Sequence, residues 1–251
     1  MVQFLWNSSC KMLIKIGNFF FRYRNALFPL VFVLLFFNET WQVFNSELVE
    51  VWEIIIGIII ALSGQTLRAL TIGLAYIKRG GKKKQVFAEK LVQNGIFAHC
   101  RNPLYLGNLL ILIGVGIAGN SLLFVLFGIP FLLFAYIAII CAEENYLGKK
   151  FGQEFKDYCK RVNRIIPNFS GIGNTIKSME FNWKRLIVKE YAIPFTWITG
   201  IIFLIGKDIY FDWGYEGCKH ALWTLSIFLL LIASAFFVAW YLKKNKILRA
   251  D

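Results

Sequence analysis

An all-α, multi-pass transmembrane helical bundle of about six spans, with a cytoplasmic helical segment after the fourth, is the fold class this sequence predicts. Three observations predict it. The 251 residues are 57% hydrophobic and 17% charged, with 25 Phe, 8 Trp and a mean hydropathy of +0.57, too apolar for one water-soluble domain of this size. Apolar runs recur at about the 20 residues a helix needs to cross the hydrocarbon core. Lys and Arg gather between those runs, as they do on the cytoplasmic side of membrane proteins.

The same composition excludes disorder and a disulfide-stapled secreted module, because only 5 Pro are present and the five cysteines, Cys10, Cys100, Cys141, Cys159 and Cys218, show no paired spacing. With only His99 and His220 beside them, no metal site is expected. A net charge of +13 would indicate nucleic acid in a soluble chain; here the basic residues lie between spans, so lipid is the expected neighbour and nucleic acid is not.

The expected spans are 26–44, 50–77, 104–120, 121–142, 192–211 and 220–242. The first is interrupted by Asn38, Glu39 and Gln42, which allows it to start further back near Ile16 with Arg22 and Arg24 snorkelling. Only Gly119-Asn120-Ser121 separates the third from the fourth, the signature of a tight helical hairpin. With the N-terminus inside, 25 of the 28 Lys and Arg fall on one side: four in 1–24, seven in 78–102, ten in 143–190 and four in 243–251. Both termini are therefore expected in the cytoplasm, and no small-residue cleavage pattern marks a signal peptide. The chain divides into an N-terminal membrane segment (1–60), a core (61–170) and a linker with the last two spans (171–251).

Two cytoplasmic stretches depart from simple crossing: 78–103, with Gly80-Gly81 and Lys82–Lys84, and 143–189, with the amphipathic FGQEFKDYCKRV. The lysine run reads as a positive-inside anchor. In 95–107, polar residues run directly into the third span. Pro103 suits its first turn, and the free N–H groups of that helix end can receive an anion, with Arg101 and Asn102 at its mouth. An interfacial cap, with Arg101 at the headgroups and Tyr105 in the aromatic belt, explains the same residues.

Glu143 and Glu144 end the fourth span, where carboxylates at the hydrocarbon edge require a cation. A hairpin of the third and fourth spans brings Arg101 and Tyr105 to them, as a structural ion pair or as a cofactor site. Arg68 lies inside the second span, where it is either a functional group or part of a packing seam with Gly64, Thr71 and Ala75 on one face.

R-N-P-L-Y-L-G at 101–107, followed by E-E-x-x-L-x-x-x-F-G-x-E-F-x-x-Y-x-x-x-V-x-R-x-I-P at 143–167, resembles the isoprenylcysteine carboxyl methyltransferase family and the related phospholipid methyltransferases. The resemblance covers about residues 64–169. It implies an integral-membrane methyltransferase that uses S-adenosylmethionine on a lipid or lipidated substrate entering from the bilayer. It also implies cofactor contacts from Asn102, Pro103, Tyr105, Gly107, Glu143 and Glu144, catalytic roles for Arg101, Tyr105 and Glu144, and a pocket-closing place for Arg164; beside it, His99 is a candidate cofactor contact or a cap of the loop, and Arg68 and Arg164 are candidate substrate contacts. Where carboxyl methyltransferases carry R-H-P-x-Y, position 102 is Asn, a form closer to the phospholipid enzymes.

Methyl transfer is an in-line displacement that needs only a held donor and an aligned nucleophile, so a dry pocket without metal suffices. A carboxylate acceptor would be clamped by Arg101, whereas an amine would need a proton acceptor such as Glu144 or Tyr105. A membrane reductase of the sterol-reductase kind, using NADPH, and a non-catalytic membrane module are the competing readings.

Overall fold

A computed structural model describes residues 2–36, 47–75, 79–82 and 85–248. Its helices are α1 (Val2–Phe32), α2 (Glu47–Leu74), α3 (Pro103–Ala118), α4 (Ile129–Phe151), α5 (Gln153–Arg161), α6 (Ile172–Lys177), α7 (Trp183–Glu190) and α8 (Ala192–Lys244). A short 3-10 turn, Val33–Phe36, extends α1, and a π-helical turn, Phe124–Gly128, leads into α4.

Among the described residues, four helical stretches are long and apolar enough to cross a membrane: Lys11–Phe36, Val51–Leu74, Phe124–Phe151 and Ala192–Lys244. The expected span at 26–44 is corrected to the earlier stretch. Its arginines are accommodated on aromatic faces, with Arg24 4.5 Å from the Phe21 ring centroid and Arg22 5.5 Å from that of Tyr23. Residues 37–44 lie outside the described ones. The 16 residues of α3 rise about 24 Å, short of the full hydrocarbon thickness. The last two expected spans meet without the loop foreseen at 212–219. Gly214 alone turns the chain back, at φ 62° and ψ 175°, a conformation open to glycine. The two arms, 192–213 and 215–244, run antiparallel, with the Phe195 and Phe236 rings 4.4 Å apart and Lys243 over Tyr191 at 4.8 Å.

Small residues decide how the bundle closes. Along the α2–α3 seam, a Cβ at Gly57 would lie 2.5 Å from the Gly114 carbonyl oxygen, and one at Gly64 2.6 Å from that of Gly107. The two backbones therefore touch, as small residues permit in lipid. The other close pair is α1 and α4, where Gly17 abuts Ala138 and where Phe20, Phe21, Ala135 and Ile139 form one core cluster with Tyr105 and Tyr136. A second cluster at the opposite end joins Leu35, Ala61, Val115, Phe124, Trp197 and Leu204.

The α3–α4 connection is the expected tight hairpin. Asn120 takes φ 41°, and Ser121 Oγ donates to Leu34 O at 3.1 Å, tying the turn to the end of α1. One element was not foreseen: strands β1 (Arg79–Lys82) and β2 (Gln85–Ala88) pair antiparallel, Arg79 opposite Ala88 and Lys82 opposite Gln85. Gly80-Gly81 breaks the helix and the short Gln-Val-Phe-Ala run favours a strand. Lys150 of α4 donates to Ala88 O and anchors the hairpin.

Candidate active site

At the end of the bundle where α3 begins and α4 finishes, three distant segments meet. The approach to α3 is a single 3-10 turn, Gly95–Ala98, entered through Gly95 at φ 63°. Pro103 occupies the first turn of α3, and the N-cap residue Asn102 does not cap it with its side chain. The Asn102 amide instead donates to Arg164 O at 3.1 Å and to Glu144 Oε1 at 3.4 Å. The strap after α5 is laced to this loop through its backbone, Arg101 N donating to Asn163 O and Asn168 N to His99 O, both at 2.9 Å.

Glu144 is the hub. Arg164 reaches Oε2 at 2.6 Å and Arg101 reaches Oε1 at 3.4 Å, and the glutamate side chain is only 16% exposed. Arg164 also donates to Cys141 Sγ at 3.2 Å. The Nε groups of Arg101 and Arg164 are buried and find no acceptor among the described residues. The expected approach of Arg101 to the acidic pair is thus observed at Glu144, while Glu143 is buried and lines a separate space.

That space is a cavity of about 750 Å³ among α1, α3, α4 and α8. Tyr105 and Glu143, from the same two motifs as Arg101 and Glu144, reach its wall, together with Arg24, Asn25, Arg68, Asn108 and Tyr136. Apart from Thr196, the rest of the lining is apolar. A second cavity, about 850 Å³, lies between the start of the strap and the Glu89–Asn94 segment and includes Ala98, Tyr158 and Arg161. None of the expected site residues lines it.

Arg68 lines the first cavity without snorkelling. Its Nε and Nη2 donate to the two carboxylate oxygens of Glu190 at 2.9 and 2.6 Å, and its Nη1 donates to Asn108 Oδ1 at 2.6 Å. Gly107 makes room for it, because a Cβ there would lie 2.5 Å from Arg68 Cγ. Gly107 therefore sits in the α2–α3 seam and not at Glu144. Glu190 was missed by the sequence reading. Its signal was the one that marked Glu143 and Glu144: a carboxylate at the edge of an apolar run, here just before α8.

His99 is held on both sides of its ring, Nδ1 with Asn168 O and Nε2 with Thr175 Oγ1, each at 2.8 Å, and so braces the loop. Cys100 donates to Ile165 O at 3.0 Å, and burial pushes its thiol up to about 11. At neutral pH it stays protonated. We expect maleimide to spare Cys100 in the folded protein and to label it after denaturation, as mapped by peptide mass spectrometry.

An integral-membrane helical bundle with a half-buried arginine–glutamate hub beside an amphipathic cavity is the class that these observations define. The family model "phospholipid methyltransferase" matches residues 52–154. The chain is 31% identical, over 162 residues, to the cobalt-zinc-cadmium resistance protein of Cupriavidus metallidurans, covering 62% of this chain and 68% of that one. It is 30% identical, over 134 residues, to the nickel-cobalt-cadmium resistance protein of Alcaligenes xylosoxydans xylosoxydans, covering 53% of this chain and 55% of that one. No solved structure matches. The chain belongs to the phospholipid methyltransferase family. It spans about half the length of one of these relatives and about two thirds of the other.

Proposed function

We propose that this protein transfers methyl groups from S-adenosylmethionine to a lipid or lipidated acceptor at the cytoplasmic surface of six membrane spans. One observation carries the reading: each motif sends residues both ways, Arg101, Asn102 and Glu144 to the polar hub, and Tyr105 and Glu143 to the amphipathic cavity. The hub and the cavity are thus built from the same two motifs, and the transfer would take place where the two spaces join, with the acceptor atom in line with the donor's methyl group. Dividing the last helix at Gly214 makes five spans of the four long stretches and the shorter α3 is the sixth, and 25 of 28 basic residues support the cytoplasmic placement.

The residues of the hub suit the donor. Glu144 offers a carboxylate to its ammonium or ribose hydroxyls. The uncapped start of α3 and the unpartnered guanidinium N–H groups of Arg101 and Arg164 offer donors for its carboxylate. When bound, S-adenosylmethionine supplies a methyl group activated by the sulfonium. Arg101 or Arg164 would steady an anionic acceptor; Tyr105 or Glu144 would take the proton of an amine. Arg68 holds the wall on which the acceptor rests.

The test is calorimetric titration of the full chain with S-adenosylhomocysteine and, separately, NADPH. Micromolar binding of the first, weakened about ten- to hundred-fold in Glu144→Gln with an unchanged unfolding profile, is the expected result. Binding of NADPH alone would replace the methyltransferase with a reductase. Binding of neither by folded protein would leave a non-catalytic module.

A further inference from the structure

We infer that the cavity is a length-gauged slot for one hydrocarbon chain, built by α1 and α8, and that Leu35 and Leu204 set the longest chain it accepts. Both walls lie outside the 52–154 segment that matches the family. The inference rests on the proposed function only in taking the bound amphiphile as the methyl acceptor.

Polarity runs the same way along the walls. On α1, Arg24 and Asn25 precede Phe28, Phe32 and Leu35; on α3, Tyr105 and Asn108 precede Ile111 and Val115. From Arg24 to Leu35 the wall rises about 16 Å. A molecule lying along it meets Arg24, Asn25, Tyr105, Asn108 and the Glu143 carboxylate at one end and hydrocarbon beyond; Arg68 at that end is already matched by Glu190, so Arg24 is the cation that would receive a phosphate or carboxylate head.

The far end is shut. Leu35 and Leu204 are each 2% exposed and converge on Gly119, where a Cβ would lie 2.9 Å from Leu35 Cδ2 and 3.2 Å from Leu204 Cδ1. The Ser121 bond to Leu34 O holds this floor in register. Along the sides the slot is looser: α1 packs on α4 and α8 on α3 and α7, whereas among the described residues α1 and α8 share no extensive contact. A chain can therefore enter from lipid between them. A volume of about 750 Å³ lies within the range for one ligand of modest size, and so favours one chain over two.

The probes are n-alkyl phosphates and n-alkanoic acids of graded length, with two-chain phosphatidic acid for comparison. They compete against a fluorescent single-chain amphiphile on the full chain in phosphatidylcholine nanodiscs. Affinity should rise with chain length to a limit and then fall about ten-fold or more for each added methylene. The head series that binds more tightly identifies phosphate or carboxylate as the group near Arg24. Leu204→Ala should move the limit to longer chains. Gly200→Phe should move it to shorter ones, because Gly200 lines the slot and nothing lies within 4 Å of a Cβ placed there, and it is read on protein whose unfolding profile matches that of the parent. Affinity that rises without limit, a limit unmoved in Gly200→Phe, or equal binding of the two-chain lipid would overturn the gauge. Titration with S-adenosylhomocysteine on the same samples separates the two readings. A gauge without donor binding removes the methyltransferase alone, and donor binding without a gauge removes the slot alone.

Discussion

Arg68→Met should lower the stability of the protein by about 3–5 kcal/mol, measured by thermal or denaturant unfolding in detergent micelles. Both partners are buried, with side-chain exposures of 9% for Arg68 and 4% for Glu190. Removing the arginine leaves a carboxylate in a low-dielectric interior with no counter-charge. It also strips Asn108 Oδ1 and Leu104 O of their donor. The pair is bidentate and ties α2 to the end of α7, so the loss should loosen α7 and the start of α8. The double variant Arg68→Met/Glu190→Leu should recover much of the loss, because replacing a whole buried pair by apolar groups is often nearly neutral. Strictly additive losses would show that the two side chains do not act as a pair.

The second large effect belongs to the α2–α3 seam. Gly64→Ala places a methyl group 2.6 Å from the Gly107 carbonyl oxygen and 2.8 Å from Leu110 Cβ. The first neighbour is backbone and cannot rotate away, so the helices must separate. Overpacking of this kind costs about 1–3 kcal/mol, and Gly57→Ala with Gly64→Ala together should exceed either alone. Arg68 would shift with α2, so probe binding in the cavity should weaken alongside stability. Gly173→Ala in α6, where nothing lies within 4 Å of the added atom, is the matched control and should be close to neutral. A seam variant as stable as this control would mean that the helices pack elsewhere.

Much of this arrangement was legible in the sequence, for reasons tied to particular residues. Length and apolarity mark a span regardless of its neighbours, so the stretches around α2, α4 and α8 could be read directly. Gly119-Asn120-Ser121 is too short for anything but a hairpin, and that hairpin alone brings Arg101 to Glu144. The start of the first span was ambiguous because arginine is costly in lipid only until a ring lies under it, and Phe21 and Tyr23 supply the rings. Gly214 resembles any loop glycine until its positive φ is known. Glu190 sits 122 residues from its partner, and no local rule couples residues at that separation. The pairing of 79–82 with 85–88 was hidden because lysine-rich runs are read as charge before they are read as backbone.

The wide turn at Phe124–Gly128 has a reach well beyond its own packing. A π-helical turn carries one more residue than α-helical winding would hold. Deleting a single residue there would let the segment relax into continuous α-helix with the downstream phase nearly kept, whereas a deletion in the regular α-helix after it has no surplus to absorb it and would turn everything downstream by about 100° about its axis. Glu144 lies 16 residues past Gly128, about 24 Å along α4. A one-codon deletion in α4 between Gly128 and Glu144 would swing it away from Arg101 and Arg164 without touching any of the three. In this fold the facing of the acidic pair is a matter of chain phase, and a change in length at one end of α4 acts as a change of side chain at the other.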